Sequence, residues 1–175
     1  MELKLRKLRE EDRNQLAELA NNEKIWNMLR DQMPHPFTLE DADRFIAAKK
    51  DQKEDYVFVI EADGDLCGMI GLHPQKDVYR KSIELGYWIG EPFWAKGIAS
   101  RAVALVLDFA FTHLDVNRVF AGVLDHNEGS KKVLLKNGFI QEGIARQASY
   151  KNEIFYDEFR YAILRQDFEQ KERSN

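Results

Sequence analysis

The stretch "WAKGIASRA", residues 94–102, decides how the rest of the chain is interpreted. It follows "SIELGYWI", residues 82–89, whose β-branched and aromatic residues predict a strand, and it leads into apolar residues at helical spacing. Where a strand enters a helix, the first backbone N–H groups lack helical acceptors and lie at the positive end of the helix dipole. Gly97 permits close approach there, and the small residues Ala99 and Ser100 keep that side open. The segment predicts an anion-binding turn, although a glycine that merely eases a tight turn explains the same residues.

Two better-known phosphate motifs are absent from this sequence. It has no G-x-x-x-x-G-K-[ST], so nucleoside triphosphate hydrolysis has no support. It has no G-x-G-x-x-G after its first strands, so a dinucleotide-binding fold has none either. An anion bound at residues 94–102 would therefore belong to another class of ligand.

Composition narrows the class of protein. With 175 residues, 44% of them hydrophobic, the chain can bury one substantial core, and we expect a single domain over residues 1–175. A net charge of −4 argues against a general nucleic-acid binder. Cys67 is the only cysteine, which predicts a reducing, cytoplasmic location. We expect no membrane partner, because no apolar run approaches spanning length, and no metal, because four scattered histidines show no ligand spacing.

The order of predicted elements is β-α-α-β-β-β-α-β-α-β-β, an α+β class. Thr38 in "TLED" is placed to begin a helix, and Gly138 to end one. Asp63 and Gly64 between two β-rich runs predict a hairpin. The strand-helix-strand unit of residues 82–124 implies one parallel pair in an otherwise mostly antiparallel, twisted sheet.

Two longer stretches carry a family resemblance: "ELGYWIGEPFWAKGIASRA" and, after the next strand, "DHNEGSKKVLLKNGF". With them the chain resembles the GCN5-related N-acetyltransferases (GNAT), and within these the Rim group, which acetylates the N-termini of ribosomal proteins. The resemblance runs from about Leu3 to Phe168. It implies the GNAT fold, acetyl-coenzyme A as co-substrate, and a turn at residues 94–100 that binds its pyrophosphate.

The family's usual turn pattern is Gln/Arg-x-x-Gly-x-Gly/Ala. Gly97 and Ala99 match it, whereas Trp94 stands in place of the Gln or Arg. In the family the strand at "GYWI" bends away from its parallel neighbour, and the pantetheine arm lies in the gap. The resemblance thus implies that Tyr87, Trp88, Ile89, Gly97, Ile98, Ala99, Ser100 and Asn127 bind the cofactor. Lys96 and the group Lys131, Lys132 and Lys136 can offset its negative charge, which adds Lys96 and Lys136 to the cofactor-binding set, and a solvated helix face is the alternative for these lysines.

Acetyl transfer also needs a base for the amine and a proton for the leaving thiolate. Glu84, a carboxylate in an apolar strand, is the candidate base, and an outward-facing glutamate paired with a surface cation is the alternative. His73 and His126 are weaker candidates. The tyrosine that many family members use as the acid is replaced here by Leu134.

The Rim group instead has an Asn-x-x-Ser pattern, which Asn127 and Ser130 match. The resemblance implies that Asn127 binds the pantetheine arm and that Ser130 donates a proton to the sulfur. Helix capping is the alternative explanation for both residues. We therefore give Glu84 and Ser130 as the candidate catalytic residues.

The acceptor is the least decodable part of the sequence. The break at "MPHPF", with Trp26 nearby, predicts a groove for an extended N-terminal peptide walled by Trp26, His35 and Phe37, unless these residues merely close the core. The leading function is acetylation of a protein N-terminus. The alternatives are acetylation of a small amine, such as a polyamine or an aminoglycoside, and a non-catalytic acyl-coenzyme A-binding module. The oligomeric state is left open, with a homodimer as one alternative.

Overall fold

The structure is a computed structural model that describes residues 1–50 and 56–173, and in this part it has seven strands and six α-helices. The strands are β1 (Leu3–Arg6), β2 (Tyr56–Ala62), β3 (Asp65–Pro74), β4 (Ser82–Ile89), β5 (Arg118–Leu124), β6 (Ile140–Lys151) and β7 (Ile154–Leu164). The helices are α1 (Arg13–Ala20), α2 (Glu23–Trp26), α3 (Leu39–Lys50), α4 (Ile98–His113), α5 (Glu128–Lys136) and α6 (Arg165–Arg173). Short 3-10 turns lie at Glu10–Asp12, Asp77–Tyr79 and Glu91–Phe93.

The strands form one sheet in the order β1-β2-β3-β4-β5-β7-β6. The pairs β1–β2, β5–β7 and β6–β7 are antiparallel, and β4–β5 is parallel. The α4 crossover connects the parallel pair, as parallel neighbours require. The predicted mixed, mostly antiparallel sheet with one parallel pair is confirmed.

The predicted order of elements needs two additions, α2 and α6. Helix α2 is a single turn held by Asn22, whose side-chain oxygen accepts hydrogen bonds from the N–H groups of Lys24 and Ile25. Helix α6 is almost wholly polar, so it lacks the apolar periodicity that predicts a helix. Its Phe168 ring contacts Phe111, with 5.1 Å between ring centroids. Such a contact between distant residues has no local sequence signal.

The local turn and cap signals are confirmed. Thr38 and Asp41 form a reciprocal capping box at the start of α3. Asp63 (φ 51°) and Gly64 (φ 95°) form the tight turn between β2 and β3. Gly138 follows α5 with a φ of 89°, a left-handed conformation that favours glycine.

By their contacts the residues form two compact units, Met1–Gly71 with Tyr87–Ala102, and Leu72–Gly86 with Val103–Asn175. The core of the first unit joins α1 and α3 to β2 and β3 through buried apolar side chains, among them Leu16, Ala20, Ile46, Val59 and Leu66. Trp88 and Phe93, at and just after the end of β4, pack against this core. The first unit thereby fixes the segment that leads into residues 94–100.

In the second unit, β5 buries the alternate residues Val119, Ala121 and Val123, and β7 buries the consecutive residues Tyr161, Ala162 and Ile163. The guanidinium of Arg165 caps the last turn of α4, donating to the carbonyls of Phe111 (2.5 Å), Leu114 (3.0 Å) and Val116 (2.7 Å). These bonds supply donors to backbone carbonyls at and just beyond the end of α4, where the helix has no further N–H groups to donate to them.

Among the described residues, no helix has both the length and the apolar character needed to cross a membrane.

A buried ion-pair network in the first unit ties β1 to the 3-10 turn and to β2. Arg6 donates two hydrogen bonds to the carboxylate of Asp12, at 2.8 and 2.7 Å, and it also binds Glu61. Asp12 is 7% exposed and accepts a further bond from the N–H of Arg9 at 2.8 Å. Burial by itself would raise the pKa of Asp12, but the bonds from Arg6 and Arg9 hold that pKa below its usual range.

Asp12→Asn is expected to lower the free energy of unfolding at neutral pH by about 3 kcal/mol, because it removes one of the two buried carboxylates that compensate the Arg6 charge and weakens two charge-assisted hydrogen bonds. Since the folded-state pKa of Asp12 is depressed, this stabilisation is present above the unfolded pKa of about 3.9 and is lost as pH falls through the folded pKa. Urea unfolding from about pH 7 down to about pH 3 measures the difference between wild type and variant. Asp43→Asn, in the exposed Arg13–Asp43 pair, is the control and should scarcely shift the curve. A difference that does not change with pH would contradict this account.

Candidate functional site

The turn after β4 is anchored on two sides within the first unit. The Trp94 indole N–H donates to the carbonyl of Ile89 at 2.7 Å. Glu91 accepts a hydrogen bond from the Asn22 side chain at 2.7 Å and forms an ion pair with Lys24. These contacts link the turn to the end of β4 and to the start of α2. Trp94 departs from the usual family pattern, and its indole provides this anchor; no local sequence pattern indicates it.

The backbone of the turn alternates in handedness. Ala95 (φ 59°) and Gly97 (φ 74°) both have positive φ, and Lys96 lies between them without it. Such alternation forms a nest, in which successive N–H groups point to one side and bind anions. Helix α4 begins at Ile98, with Arg101 N–H donating to the Gly97 carbonyl at 3.2 Å. A Cβ at Gly97 would meet nothing within 4 Å, so the space over the turn is open.

Lys96 is exposed, and its ammonium lies 5.5 Å from the centre of the Phe93 ring. The predicted residues on either side differ in what they can offer a ligand. Ile89 and Ile98 are 7% and 2% exposed, so their side chains are buried and cannot contact a ligand at the surface. Tyr87, Trp88, Ala99 and Ser100 are half-buried.

The approach of β3 to the end of β4 is very close. A Cβ at Gly68 would lie 2.1 Å from the Trp88 carbonyl oxygen, so only glycine fits there. The Gly90 N–H donates to the Cys67 carbonyl at 2.8 Å. The backbone of residues 88–90, which leads into the turn, is therefore held by β3.

Of the three residues predicted to contact the acceptor, Trp26 and His35 contact each other, whereas Phe37 lies in the core. Trp26 and His35 stack, with ring centroids 5.3 Å apart and planes 25° apart. Phe37 is 6% exposed and belongs to the hydrophobic core of the first unit. For Phe37 the structure agrees with the alternative that it closes the core.

Glu84 lies in the second unit, at the last position of the parallel ladder. The ladder pairs Ser82 with Arg118 and ends with Glu84 opposite Phe120, while β4 and β5 both continue. Ile83 and Leu85 are buried, whereas Glu84 is half-buried and Gly86 is exposed. A Cβ at Gly86 would lie 3.8 Å from His73 Nε2, so Glu84 and His73 both lie near this glycine.

Asn127 caps α5, as the capping alternative predicts. Its Oδ1 accepts a hydrogen bond from the Ser130 N–H at 3.1 Å. Capping does not use the Asn127 Nδ2 group, which is the donor that a pantetheine carbonyl would need. Ser130 is half-buried, Lys136 is exposed, and Leu134 is fully buried in the position of the usual family tyrosine.

One lysine of this region has a structural role. The Lys131 side chain is 13% exposed, and its ammonium binds the Asp125 carbonyl and the Glu128 carboxylate, both at 2.6 Å. It also lies 4.0 Å from the centre of the Phe159 ring. Lys136 is therefore better placed than Lys131 to meet an anion.

The family follows from comparison with known proteins. Residues 2–140 match the family described as "Acetyltransferase (GNAT) domain". The chain belongs to the GNAT acetyltransferase family. The predicted resemblance is thereby confirmed at the level of the family, and the sheet of this GNAT chain, with its single parallel pair, agrees with it.

Relatives of this GNAT chain carry names from two acceptor classes. It is 41% identical over 107 residues to "Putative ribosomal N-acetyltransferase YdaF" of Bacillus subtilis, covering 61% of this chain but only 58% of that protein, less than two thirds of its length. It is 28% identical over 166 residues to the spermidine N(1)-acetyltransferase of Escherichia coli K12, covering 95% of this chain and 88% of that one. The solved structure of RimL, a ribosomal alpha-N-protein acetyltransferase in complex with coenzyme A, superimposes with a TM-score of 0.82 at 23% identity, over 93% of each chain. That likeness is one of fold.

Proposed function

We propose that this GNAT chain transfers an acetyl group from acetyl-coenzyme A to a primary amine, most favourably the N-terminal α-amine of a ribosomal protein. The observation that carries the proposal is the turn after β4, where two residues of positive φ and an open glycine form an anion nest at the start of α4. From family membership we infer that the ligand of this nest is the pyrophosphate of the co-substrate. A reducing, cytoplasmic location and a single domain over residues 1–175 stay predictions from the sequence.

The described residues fit acetyl-coenzyme A in two places. In the first unit, the N–H groups of the turn and the exposed Lys96 suit a pyrophosphate, and the space over Gly97 is open to it. In the second unit, Asn127 retains an amide donor after capping α5, and Lys136 adds a positive charge. The family resemblance, and not the arrangement of the two units, is the basis on which we assign the pantetheine arm to Asn127 and to the backbone of Tyr87, Trp88 and Ile89.

When bound, acetyl-coenzyme A supplies a thioester whose carbonyl an amine can attack. Glu84 would accept the proton of the acceptor ammonium, directly or through water. Its position on the face of β4 opposite buried Ile83 and Leu85, near exposed Gly86, supports this role. Ser130, in the first turn of α5, would donate a proton to the leaving sulfur.

Two observations favour a protein N-terminus as the acceptor. The relative YdaF carries a ribosomal acetyltransferase name, and an α-amine with a pKa near 8 is partly neutral at cellular pH, unlike a lysine amine near 10.4. A modest base such as Glu84 suffices for an α-amine. The stacked Trp26 and His35 are the side chains that we propose to contact the peptide.

A small amine is the second candidate acceptor, and a specific observation supports it. The spermidine acetyltransferase relative matches over nearly the whole chain, whereas the YdaF match covers less. Spermidine, unlike an N-terminal peptide, presents only amines and a flexible carbon chain. The two classes can therefore be separated by direct competition.

The test of the acceptor is a competition for acetyl-coenzyme A among three amines. One is a peptide that begins with Ala or Ser, the second is the same peptide with a blocked N-terminus and a free lysine, and the third is spermidine. The proposal predicts that mass spectrometry finds the acetyl group mainly on the free N-terminus. Equal acetylation of the blocked peptide, or preferred acetylation of spermidine, would transfer the assignment to the small-amine class.

Ser130→Ala is expected to lower kcat by about tenfold or more while changing the dissociation constant of acetyl-coenzyme A much less, since protonation of the thiolate matters only during transfer. Ser130→Thr, which keeps the hydroxyl, is the matched control and should recover most of the rate. Steady-state rates and calorimetry measure the two quantities. Equal rates for Ser130→Ala and wild type would mean that Ser130 contributes only to the start of helix α5 and not to catalysis.

A further inference from the structure

Glu158 of β7 lies across a glycine of the neighbouring strand. It is opposite Leu124 of β5 and Ala145 of β6, and its side chain reaches over Gly122. A Cβ at Gly122 would lie 2.7 Å from the Glu158 Cδ and 2.9 Å from each carboxylate oxygen. The Glu158 carboxylate therefore occupies space that a side chain at residue 122 would fill.

Glu158 and Glu84 lie on the same face of the second unit's sheet. Buried Val119, Ala121 and Val123 alternate along β5 with Phe120, Gly122 and Leu124, which face the other side. Glu84 is the ladder partner of Phe120, so its side chain is on that side too. Gly86 and Gly122 are both exposed there, and we call this side the open face.

The ion pair that Glu158 forms in the structure is a weak one. Its Oε1 lies 3.4 Å from Arg160 Nε, and the Arg160 side chain is 62% exposed, whereas the Glu158 side chain is 23% exposed. An exposed guanidinium at this distance contributes little. A better-placed cation from outside can replace it, while the half-buried carboxylate keeps its position over Gly122.

The spacing of the two carboxylates suits a particular acceptor. Neighbouring strands lie about 4.8 Å apart and a strand rises about 3.3 Å per residue, so Gly122, two residues beyond Phe120, is roughly 8–10 Å from Glu84. Two residues of an extended peptide span about 7 Å. A cation on the second or third residue of a peptide, or on the far end of a polyamine, therefore reaches Glu158 while the reacting amine is at Glu84.

We propose that Glu158 is a specificity-determining residue that binds a second cationic group of the acceptor, an ammonium or guanidinium roughly 8–10 Å from the reacting amine. The inference rests on the proposed function, and it names the acceptor class: an amine that carries another cation. Gly122 is the positioning residue, because it sets where the carboxylate lies.

The test compares acceptors with and without the second cation. One pair is a peptide with lysine at its third residue and the same peptide with alanine there, and the other pair is spermidine and propylamine. Wild type is expected to prefer the member of at least one pair that has a cation besides the reacting amine, by about tenfold in kcat/KM, the usual scale for a charge-assisted contact. The pair that shows the preference identifies whether the second cation comes from a peptide or from a polyamine.

Three variants test whether the preference for the acceptor with an additional cation comes from Glu158. Glu158→Gln should reduce the ratio towards one, and Gly122→Ala should reduce it partly, because the new Cβ displaces the carboxylate without removing its charge. Glu169→Gln, which removes an equal charge from exposed α6, is the control and should keep the wild-type ratio. A ratio that Glu158→Gln leaves at its wild-type value overturns the inference, and so does a wild type that shows no preference in either pair.

Calorimetry separates this inference from the proposed function. Binding of the lysine peptide and of spermidine to wild type and to Glu158→Gln is measured without turnover, and a loss of about fivefold or more in affinity supports the role of Glu158. If the lysine peptide and spermidine each bind wild type and the variant with equal affinity, or do not bind to either protein, the inference is wrong even when acetyl transfer occurs. If wild type binds the lysine peptide or spermidine through Glu158 but acetylates no amine, the proposed function fails and the inference stands.

Discussion

Gly97→Asp is expected to weaken the binding of acetyl-coenzyme A by a factor on the order of 100. The variant places a carboxylate in the open space over the turn, where the account puts the pyrophosphate. Repulsion between these charges at about 5 Å amounts to about 3 kcal/mol at the effective dielectric of a protein surface, which corresponds to such a factor. Calorimetry with acetyl-coenzyme A measures the change.

Gly97→Asn is the matched control for this variant. Asparagine has nearly the same size as aspartate, and both tolerate the positive φ of residue 97 better than other side chains do, so the backbone cost is shared. The difference in affinity between the two variants then reports the added charge. Equal affinity of a folded Gly97→Asp variant and Gly97→Asn would place the phosphate site elsewhere.

Glu84→Gln is expected to lower kcat by about 100-fold near pH 7, within the usual range for loss of a general base. The amide keeps the shape of the side chain at the end of the parallel ladder but cannot accept the proton. The affinity for acetyl-coenzyme A should change little, because the proposed contacts of the cofactor do not include this side chain. Rates and calorimetry on the same preparation measure both effects.

The loss in Glu84→Gln should depend on pH in a defined direction. An α-amine with a pKa near 8 is neutral in about a tenth of molecules at pH 7 and in about nine tenths at pH 9. As pH rises, less of the reaction needs a base, so the ratio of wild-type to variant kcat should fall. A variant that has the wild-type kcat across this range would leave Glu84 as an outward-facing strand glutamate.

The sequence predicts the parts of this fold whose signals are local. Thr38 with Asp41 and Asp63 with Gly64 carry their turn or cap chemistry within a few residues, and the structure has each of them. Helix α6 was outside the reach of such signals, because its polar residues have no apolar period and its Phe168 contacts a distant ring. Long-range contacts, not local propensity, determine such elements.

For the candidate site, the sequence indicates where the turn lies but not how it is held. Gly97 has a recognisable signal, whereas the positive φ of Ala95 and the bond from Trp94 to Ile89 have none. The space that Gly122 leaves for Glu158 also depends on strand register, which no short motif encodes. Catalytic roles for Glu84 and Ser130 stay predictions, since their chemistry depends on partners that only a reaction reveals.

The stoichiometry of transfer shows whether this chain moves the acetyl group of acetyl-coenzyme A to an amine. The protein is mixed with acetyl-coenzyme A and an Ala- or Ser-initiated peptide, free thiol is titrated, and the acetylated atom is located by peptide fragmentation. We predict one coenzyme A thiol for each acetyl group found on the N-terminal α-amine, at a rate that Glu84→Gln reduces. Binding of acetyl-coenzyme A with no thiol release above the protein-free rate, for this peptide and for spermidine, would contradict it and identify a non-catalytic acyl-coenzyme A-binding protein.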